Sequence, residues 1–317
     1  MRIVMMGTGR FAEPTFEAVL ASPHQVVGLV TNPDRPSGRD REMLRGMKKI
    51  ALARGVPVLQ PESINTPEGA AALRETKPDL LLVAAYGQIL SKDVLSTAAQ
   101  GGINVHASLL PKYRGAAPIA WAIYHGETRT GVTIIKMSVA LDAGDMLAQE
   151  SIDICTEETA GELEQRLGVL GARLATQVID QIEKGTARGS KQDPAQVTKA
   201  PKLKKEHGLI QWDRPARAIC NQIRAMQPWP TAYTYWQRPD QEPVRLILQK
   251  ATAREGKPLE AGQVVVEENA RLLIGASENS AVDVLELQPA GKRRMTAAEF
   301  VRGNRPGPND RFIALTE

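Results

Sequence analysis

The sequence predicts an α/β protein: a mostly parallel sheet in the N-terminal part, followed by a small C-terminal β-barrel. Two observations predict the first half. Short apolar runs alternate with helical periodicity, and that alternation argues for parallel strands joined by right-handed crossovers. A third observation predicts the second half, where several short strands crowd into about a hundred residues. With 317 residues the chain exceeds one small core, so two domains are expected. These are a Rossmann-like domain over 1–188, a basic linker over 189–205 and an OB-like barrel over 206–317.

Taken in order, Arg2–Met6 and Val26–Thr31 read as buried strands, with a helix over Pro14–Ser22 between them that carries Pro in its first turn. Leu44–Gly55 reads as a helix, Val56–Leu59 as a short strand, and Thr66–Thr76 as a helix with Pro67 just inside its start. Leu80–Ala85 and Ile103–Val105 are further strands. From Thr133 the pattern changes: Thr133–Met137 and Met146–Ile152 read as neighbouring strands, before a long amphipathic helix near Ala160–Glu183. "KGTARGSKQDPAQVTKAPKLKKEHG" is rich in Lys, Gly and Pro and reads as a linker. Beyond it "ARAICNQIRAM" is one helix, and Val244–Gln249, Gly262–Val266, Arg271–Gly275 and Val282–Leu287 are the strands of the barrel.

The formal charge is +4, and from Pro201 onward 18 Lys and Arg face 14 Asp and Glu, so the whole excess lies there. A basic second half points to a polyanionic partner. Cys155 and Cys220 fit no metal, redox or disulfide spacing and read as reduced core thiols. No basic-then-apolar leader opens the sequence, and no run of about eighteen apolar residues suggests a membrane span, so a cytoplasmic protein is expected. Trp229, Tyr233, Tyr235 and Trp236 cluster as a packing node in a chain otherwise poor in aromatics.

"MGTGRFAEP" contains Gly7, Gly9 and Ala12 in the spacing that cradles a dinucleotide pyrophosphate, with Asp34 about twenty residues on, where a ribose ligand is sought. Nothing later in the chain supports a nicotinamide. The glycines are read instead as a tight strand-to-helix turn at the carboxyl edge of the sheet.

The informative stretch is "GGINVHASLLPKYRGAAPIAWAIYHG". Asn104 and His106 are two apart at a strand end, so both project from one face, beyond the strand ends where ligands collect. An amide there can donate to a developing oxyanion, and an imidazole can move a proton near neutral pH. Further on, "LDAGDM" offers Asp142 or Asp145 as the carboxylate that orients the ring.

"INVHASLLPKYRGAAPI" together with "LDAGDM" resembles the folate-dependent formyltransferases, and among them the methionyl-tRNA formyltransferases. The resemblance covers nearly the whole chain. It extends through "TNPDRPSGR", "IQWDRPARAICNQIRAMQPWPTAY" and "LQPAGKRRM", five motifs in the family's order. It implies a catalytic trio of Asn104, His106 and Asp142. It implies a folate pocket walled by Ser108, Leu109, Leu110 and Pro111 and by Tyr86, Gly87, Gln88, Ile89 and Leu90. The implied reaction passes the formyl group of 10-formyltetrahydrofolate to the α-amine of methionyl initiator tRNA, without metal or NAD, in a monomer. A free α-amine with a pKa of about 8 is a competent nucleophile at neutral pH. The family usually has proline where this chain has Gly9.

The long basic loop "NPDRPSGRDREMLRGMKK" is implied to grip the acceptor end through Arg35, Arg39, Arg41, Lys48 and Lys49, with Arg39 foremost. It departs from its relatives' Gly-Lys-Lys and Ser-Pro-Val-Lys segments, having Asp40-Arg41-Glu42 and Arg45-Gly46-Met47-Lys48. Lys204, Lys205 and Arg293, with Lys202 and Arg294, would add phosphate attraction that weakens with salt. Two other readings stay open: a folate-linked enzyme acting on a sugar amine or a purine precursor, and a non-enzymatic nucleic-acid-binding protein.

Overall fold

A computed structural model describes residues 1–34 and 41–315, with the backbone alone over 41–45. The elements of its first part are β1 (Arg2–Gly7), α1 (Glu13–Leu20), β2 (Gln25–Val30), α2 (Arg41–Ala53), β3 (Val58–Leu59) and α3 (Pro67–Glu75). They continue with β4 (Leu80–Ala84), α4 (Lys92–Leu95), β5 (Gly102–His106), β6 (Arg114–Gly115) and α5 (Pro118–Tyr124). Next come β7 (Arg129–Lys136), β8 (Met146–Asp153), α6 (Ala160–Glu183) and β9 (Lys199–Ala200). Two compact units result, one of Met1–Pro118, Arg129–Asp153 and Glu162–Pro201, the other of Ile119–Thr128, Ile154–Gly161 and the chain from Lys202 onward.

The sheet of the first unit runs β3-β2-β1-β4-β5-β7-β8. The first five strands are parallel, as the alternation predicts, and β7 and β8 form an antiparallel extension on β5. β4 is buried along its whole length, which is why "LLLVA" shows no alternation. One face carries Val4, Met6, Leu81 and Val83 against Leu73 of α3 and Val94 of α4. On the opposite face α6 comes close at Gly171, where a Cβ would stand 2.7 Å from Val105 Cγ1. The helix starts follow their chemistry: Thr66 accepts from Gly69 N at 3.1 Å ahead of Pro67, and Ser91 caps α4 through Val94 N at 3.3 Å.

The first turn is built as its glycines require. A Cβ on Gly7 would stand 2.6 Å from the Ala84 carbonyl oxygen and 2.9 Å from Ala12 Cβ, and Gly9 has φ +85°. Proline, the family's usual residue at the second position, cannot adopt that φ. β7 begins four residues ahead of the expected strand because Gly131 does not break it. Its missing side chain instead admits Leu109, whose Cδ2 would lie 2.6 Å from a Cβ there. α4 spans only four residues, too few for a periodic signal. Within 189–205, read from sequence as linker, β9 pairs in parallel with β6.

The second unit adds α7 (Ala216–Ala225), β10 (Ala232–Gln237), β11 (Val244–Glu255), β12 (Val264–Glu267), β13 (Arg271–Ala276), β14 (Ser280–Pro289), β15 (Met295–Thr296), α8 (Ala297–Asn304) and β16 (Arg311–Ile313). Its antiparallel sheet runs β12-β13-β14-β11-β10-β16 and curls into a half-barrel. The two edge strands meet through a bridge between Gln263 and Arg311, with Phe312 N donating to Gly262 O at 2.8 Å. Of the aromatic cluster, only Trp236 is core: it packs edge-on to Phe300 and donates to Asp310 at 3.0 Å, while Trp229 is exposed. Strand β10 alternates, with Tyr233 and Tyr235 on its outer side. Among the described residues neither cysteine is in a disulfide, and Cys155 is exposed rather than core; burial pushes the half-buried Cys220 thiol up to about 12.

Two outcomes test this packing. Gly7→Ala should destabilise the protein by about 1–3 kcal/mol through overpacking, read by urea denaturation; an unchanged midpoint would remove the close approach from the account. The Glu299 carboxyl, bonded by the Thr296 N–H, Arg293 and the Thr296 hydroxyl, sits at about 2 instead of 4.5. A depressed carboxylate stabilises the fold above its unfolded pKa and loses that contribution as pH falls through the folded one. Glu299→Gln should therefore flatten the melting profile between pH 4.5 and about 2, measured by circular dichroism, relative to the parent chain.

Candidate active site

The register of β5 decides which side chains share a face. Asn104 pairs with Val83 and with Ile135, and His106 with Thr133, so amide and imidazole stand beside each other on the face opposite α6. Between them Val105 points back and is buried. The loop from β7 to β8 then folds over this face and delivers a carboxylate. Asp142 Oδ1 lies 3.4 Å from Asn104 Nδ2, and its Oδ2 lies 3.7 Å from His106 Nδ1 and accepts from Gly115 N at 2.9 Å. Asp145, the other acid of "LDAGD", turns away to Lys191 Nζ at 2.9 Å.

His106 is 5% exposed, and its Nε2 meets the Tyr113 carbonyl oxygen at 3.0 Å. A carbonyl only accepts, so Nε2 carries hydrogen whether the ring is neutral or charged. The proton that His106 gains or gives therefore sits on Nδ1, the nitrogen facing Asp142. Both groups that meet this ring come from strained backbone: Tyr113 has φ +60° and Asp142 φ +48°.

The segment Ser108–Pro111 follows His106 directly. Ser108, Leu110 and Pro111 are buried and Leu109 is half-buried. Thr133 Oγ1 donates to Ser108 O at 2.7 Å and accepts from Leu110 N at 3.1 Å, and Gln149 Nε2 donates to Leu110 O at 2.9 Å. In the second segment, Tyr86 and Leu90 are buried while Gly87 and Ile89 are exposed, and Gln88 binds the 62–64 backbone. Asn32 Nδ2 holds Tyr86 O at 3.2 Å.

Sequence reading missed Val139 and Leu141. They are 65% and 54% exposed, flank Asp142 on its N-terminal side, and join Ile89 as large apolar side chains open to solvent. Two apolar residues alternating just ahead of "DAGD" were the available signal. Gln192 and Thr198 were also missed, for lack of any local pattern.

At the first turn, the Phe11 N–H bonds to the Glu164 carboxylate, a group from α6. Burial raises Glu164 and also Glu13, with Arg10 opposing in both cases. An amide of the apparent pyrophosphate loop is thus engaged by the chain's own carboxylate.

Of the basic residues, Arg35 and Arg39 lie outside the described residues, as does the side chain of Arg41. Lys48 Nζ is bound to Asp34 and Gln60, both at 2.6 Å, and Lys49 is exposed. Lys204, Lys205 and Arg293 are exposed in the second unit, Lys204 beside Glu206 at 3.1 Å and Arg293 beside Glu299 at 2.8 Å. Among the described residues, His24, Asp180 and Glu183 form one group with metal-capable atoms within 4.8 Å, but His24 Nε2 is already 3.0 Å from Asp180. No helix among them is long and apolar enough to cross a membrane.

Among the described residues the Tyr86 hydroxyl, inside the apolar cluster of α3 and α4, has no hydrogen-bond partner, and burial pushes its pKa up to about 12. Removing an unsatisfied buried hydroxyl relieves a desolvation cost of about 1–3 kcal/mol. Tyr86→Phe should accordingly melt at the same temperature or higher; a lower melting temperature would show that the hydroxyl has a partner.

Comparison with known proteins fits this geometry. The formyl transferase family model matches residues 1–179, and the formyl transferase C-terminal domain model matches 202–305. The methionyl-tRNA formyltransferase of Solibacter usitatus is 42% identical over 98% of both chains, and that of Desulfotalea psychrophila is 44% identical over 97% of this chain and 94% of its own. Among solved structures, an N-formyltransferase from Helicobacter canadensis, in complex with folinic acid and dTDP-3-aminofucose, shares the fold with a TM-score of 0.67 at 18% identity, covering 89% of this chain and 98% of its own. With both domains matched and identity above 40% along nearly the full length, the chain belongs to the formyl transferase family, within its methionyl-tRNA formyltransferases.

Proposed function

We propose that this chain transfers the formyl group of 10-formyltetrahydrofolate to the α-amino group of methionine on initiator tRNA, as a cytoplasmic monomer. The observation that carries the reading is the meeting of Asn104, His106 and Asp142 on one face of β5, from positions 38 residues apart for the amide–carboxylate contact.

The residues present fit a flat heterocycle with polar edges. Exposed Ile89, Val139 and Leu141 supply apolar surface, and Gly87, at φ +82°, leaves its backbone uncovered. When bound, the folate supplies the activated formyl group. The rest falls to the chain's own side chains. Asn104 Nδ2 donates to the formyl oxygen as negative charge grows on it during attack by the amine. His106 holds a proton on Nδ1, hands it to the departing nitrogen and takes back the proton that the attacking amine sheds on becoming an amide, while Nε2–H stays on the Tyr113 carbonyl. Asp142, only 9% exposed in its side chain, stands 3.7 Å from Nδ1 and orients the ring. The Gly115 N–H fixes the carboxylate so that it does not swing into the space of the reacting amine.

Recognition of tRNA is assigned to the basic loop with Arg35, Arg39, Arg41, Lys48 and Lys49, and to Lys204, Lys205 and Arg293 on the barrel. Exposed ion pairs such as Lys204–Glu206 contribute little, so phosphate can replace the partner at small cost.

The test is formylation of charged initiator tRNA by the parent chain, Asn104→Ala and His106→Ala. Each variant should lose about 100- to 1000-fold in kcat, the usual cost of one oxyanion donor or proton carrier. Undiminished transfer by both would refute the site, and a parent chain that formylates an amino sugar but not tRNA would refute the substrate.

A further inference from the structure

The segment after α6, read from sequence as a linker, makes a continuous series of bonds to the two strained residues that meet His106. Ser190 and Met146 exchange both backbone bonds at 2.9 Å, which fastens the segment to β8. Gly189 approaches so closely that a Cβ would lie 2.8 Å from Asp145 Cβ. Three residues further, Gln192 is 9% exposed and uses its whole amide. Nε2 donates to Asp142 O and to Gly144 O, both at 2.8 Å. Oε1 accepts from Arg114 Nε at 3.0 Å and from its terminal nitrogen at 2.7 Å. Thr198 Oγ1 then accepts from Tyr113 N at 2.8 Å, Thr198 O accepts from Arg114 N at 2.9 Å, and β9 continues the pairing along β6.

Left-handed backbone at a non-glycine residue persists only where its surroundings over-determine it. Tyr113 and Asp142 are two such residues, and they are the two that face the opposite nitrogens of His106. The same segment holds both of them.

We propose that residues 189–200 form a positioning arm for the reaction centre, with Gln192 setting Asp142 and Thr198 setting Tyr113 against the two nitrogens of His106. The inference rests on the reading of Asn104, His106 and Asp142 as that centre. Neither arm residue touches the reacting atoms; each acts through a neighbour. The loop that carries Asp142 leaves Val139 and Leu141 exposed, so Asp142 is held by the bonds of the arm and of Gly115 rather than by burial of those two side chains.

Gln192→Glu separates positioning from packing. The carboxylate has the volume of the amide and still pairs with Arg114, but it presents an acceptor to two carbonyl oxygens where the amide donated. With full-length protein, Gln192→Glu and the uncharged, volume-matched Gln192→Met should each lower kcat by about 10- to 100-fold, the scale of a misplaced catalytic group. The KM values for tRNA and for the formyl donor should stay within about twofold, because the arm acts on Asp142 and not on ground-state binding. Combined with Asp142→Ala, either variant should lower kcat by less than about twofold more, since residues acting as one unit are not additive. Thr198→Val should behave in the same way against His106→Ala.

Losses that multiply in the double variants, or a lowered melting temperature with kcat unchanged, would overturn the proposal. So would a Gln192→Glu protein that fails to fold beside a folded, fully active Gln192→Met. Failure of the functional reading looks different: the parent chain would then not formylate tRNA, or Asp142→Ala would keep full kcat.

Discussion

Strand β5 pairs in parallel with β4 on one side and antiparallel with β7 on the other, and its alternating side chains meet two different surroundings. Ile103 and Val105 are sealed on the face that α6 covers, each contributing about 1.5–3 kcal/mol of burial. That anchorage is what makes Asn104 and His106 rigid. In the proposed reaction a donor and a proton carrier lower the barrier only if they already stand where charge will develop, and side chains rooted in a doubly paired strand need no rearrangement to do so.

Around that strand the chain accepts strain in return for orientation. Tyr113 and Asp142 hold left-handed backbone, which costs on the order of 1 kcal/mol or more at each. Each is offset by hydrogen bonds from outside its own loop: Thr198 to Tyr113, and Gln192 and Gly115 to Asp142. The outcome is an imidazole whose two nitrogens have unlike partners, a carbonyl on Nε2 and a carboxylate near Nδ1. Such asymmetry fixes which nitrogen can exchange a proton.

Much of the fold was legible because it is written locally. The apolar run of β4, the Thr66-Pro67 start of α3 and the period of α6 each follow from residues within one element. Misreadings came where a residue's meaning depends on a distant neighbour. Gly131 lies inside a strand as a packing hole for Leu109, and in the aromatic stretch the alternation of β10 buries Trp236 and turns Tyr233 and Tyr235 outward. The site was half legible. Asn104 and His106 announce themselves by a spacing of two at a strand end, whereas Val139, Leu141, Gln192 and Thr198 carry no spacing that relates them to His106.

Residue order alone determined that Asn104 and His106 share a face, that the first half is a parallel sheet, and that the glycines of the first turn are needed for a tight bend. These depend on periods of two and 3.6 and on backbone freedom, which are properties of neighbouring residues. Only the tertiary structure shows that Asp142 rather than Asp145 comes to Asn104 and His106, that Nδ1 is the ring nitrogen facing it, and that an apparent linker binds both strained residues. The physical reason is sequence distance: the deciding hydrogen bonds join residues 50 apart for Gln192 and Asp142 and 85 apart for Thr198 and Tyr113, and no local pattern encodes a partner that far away.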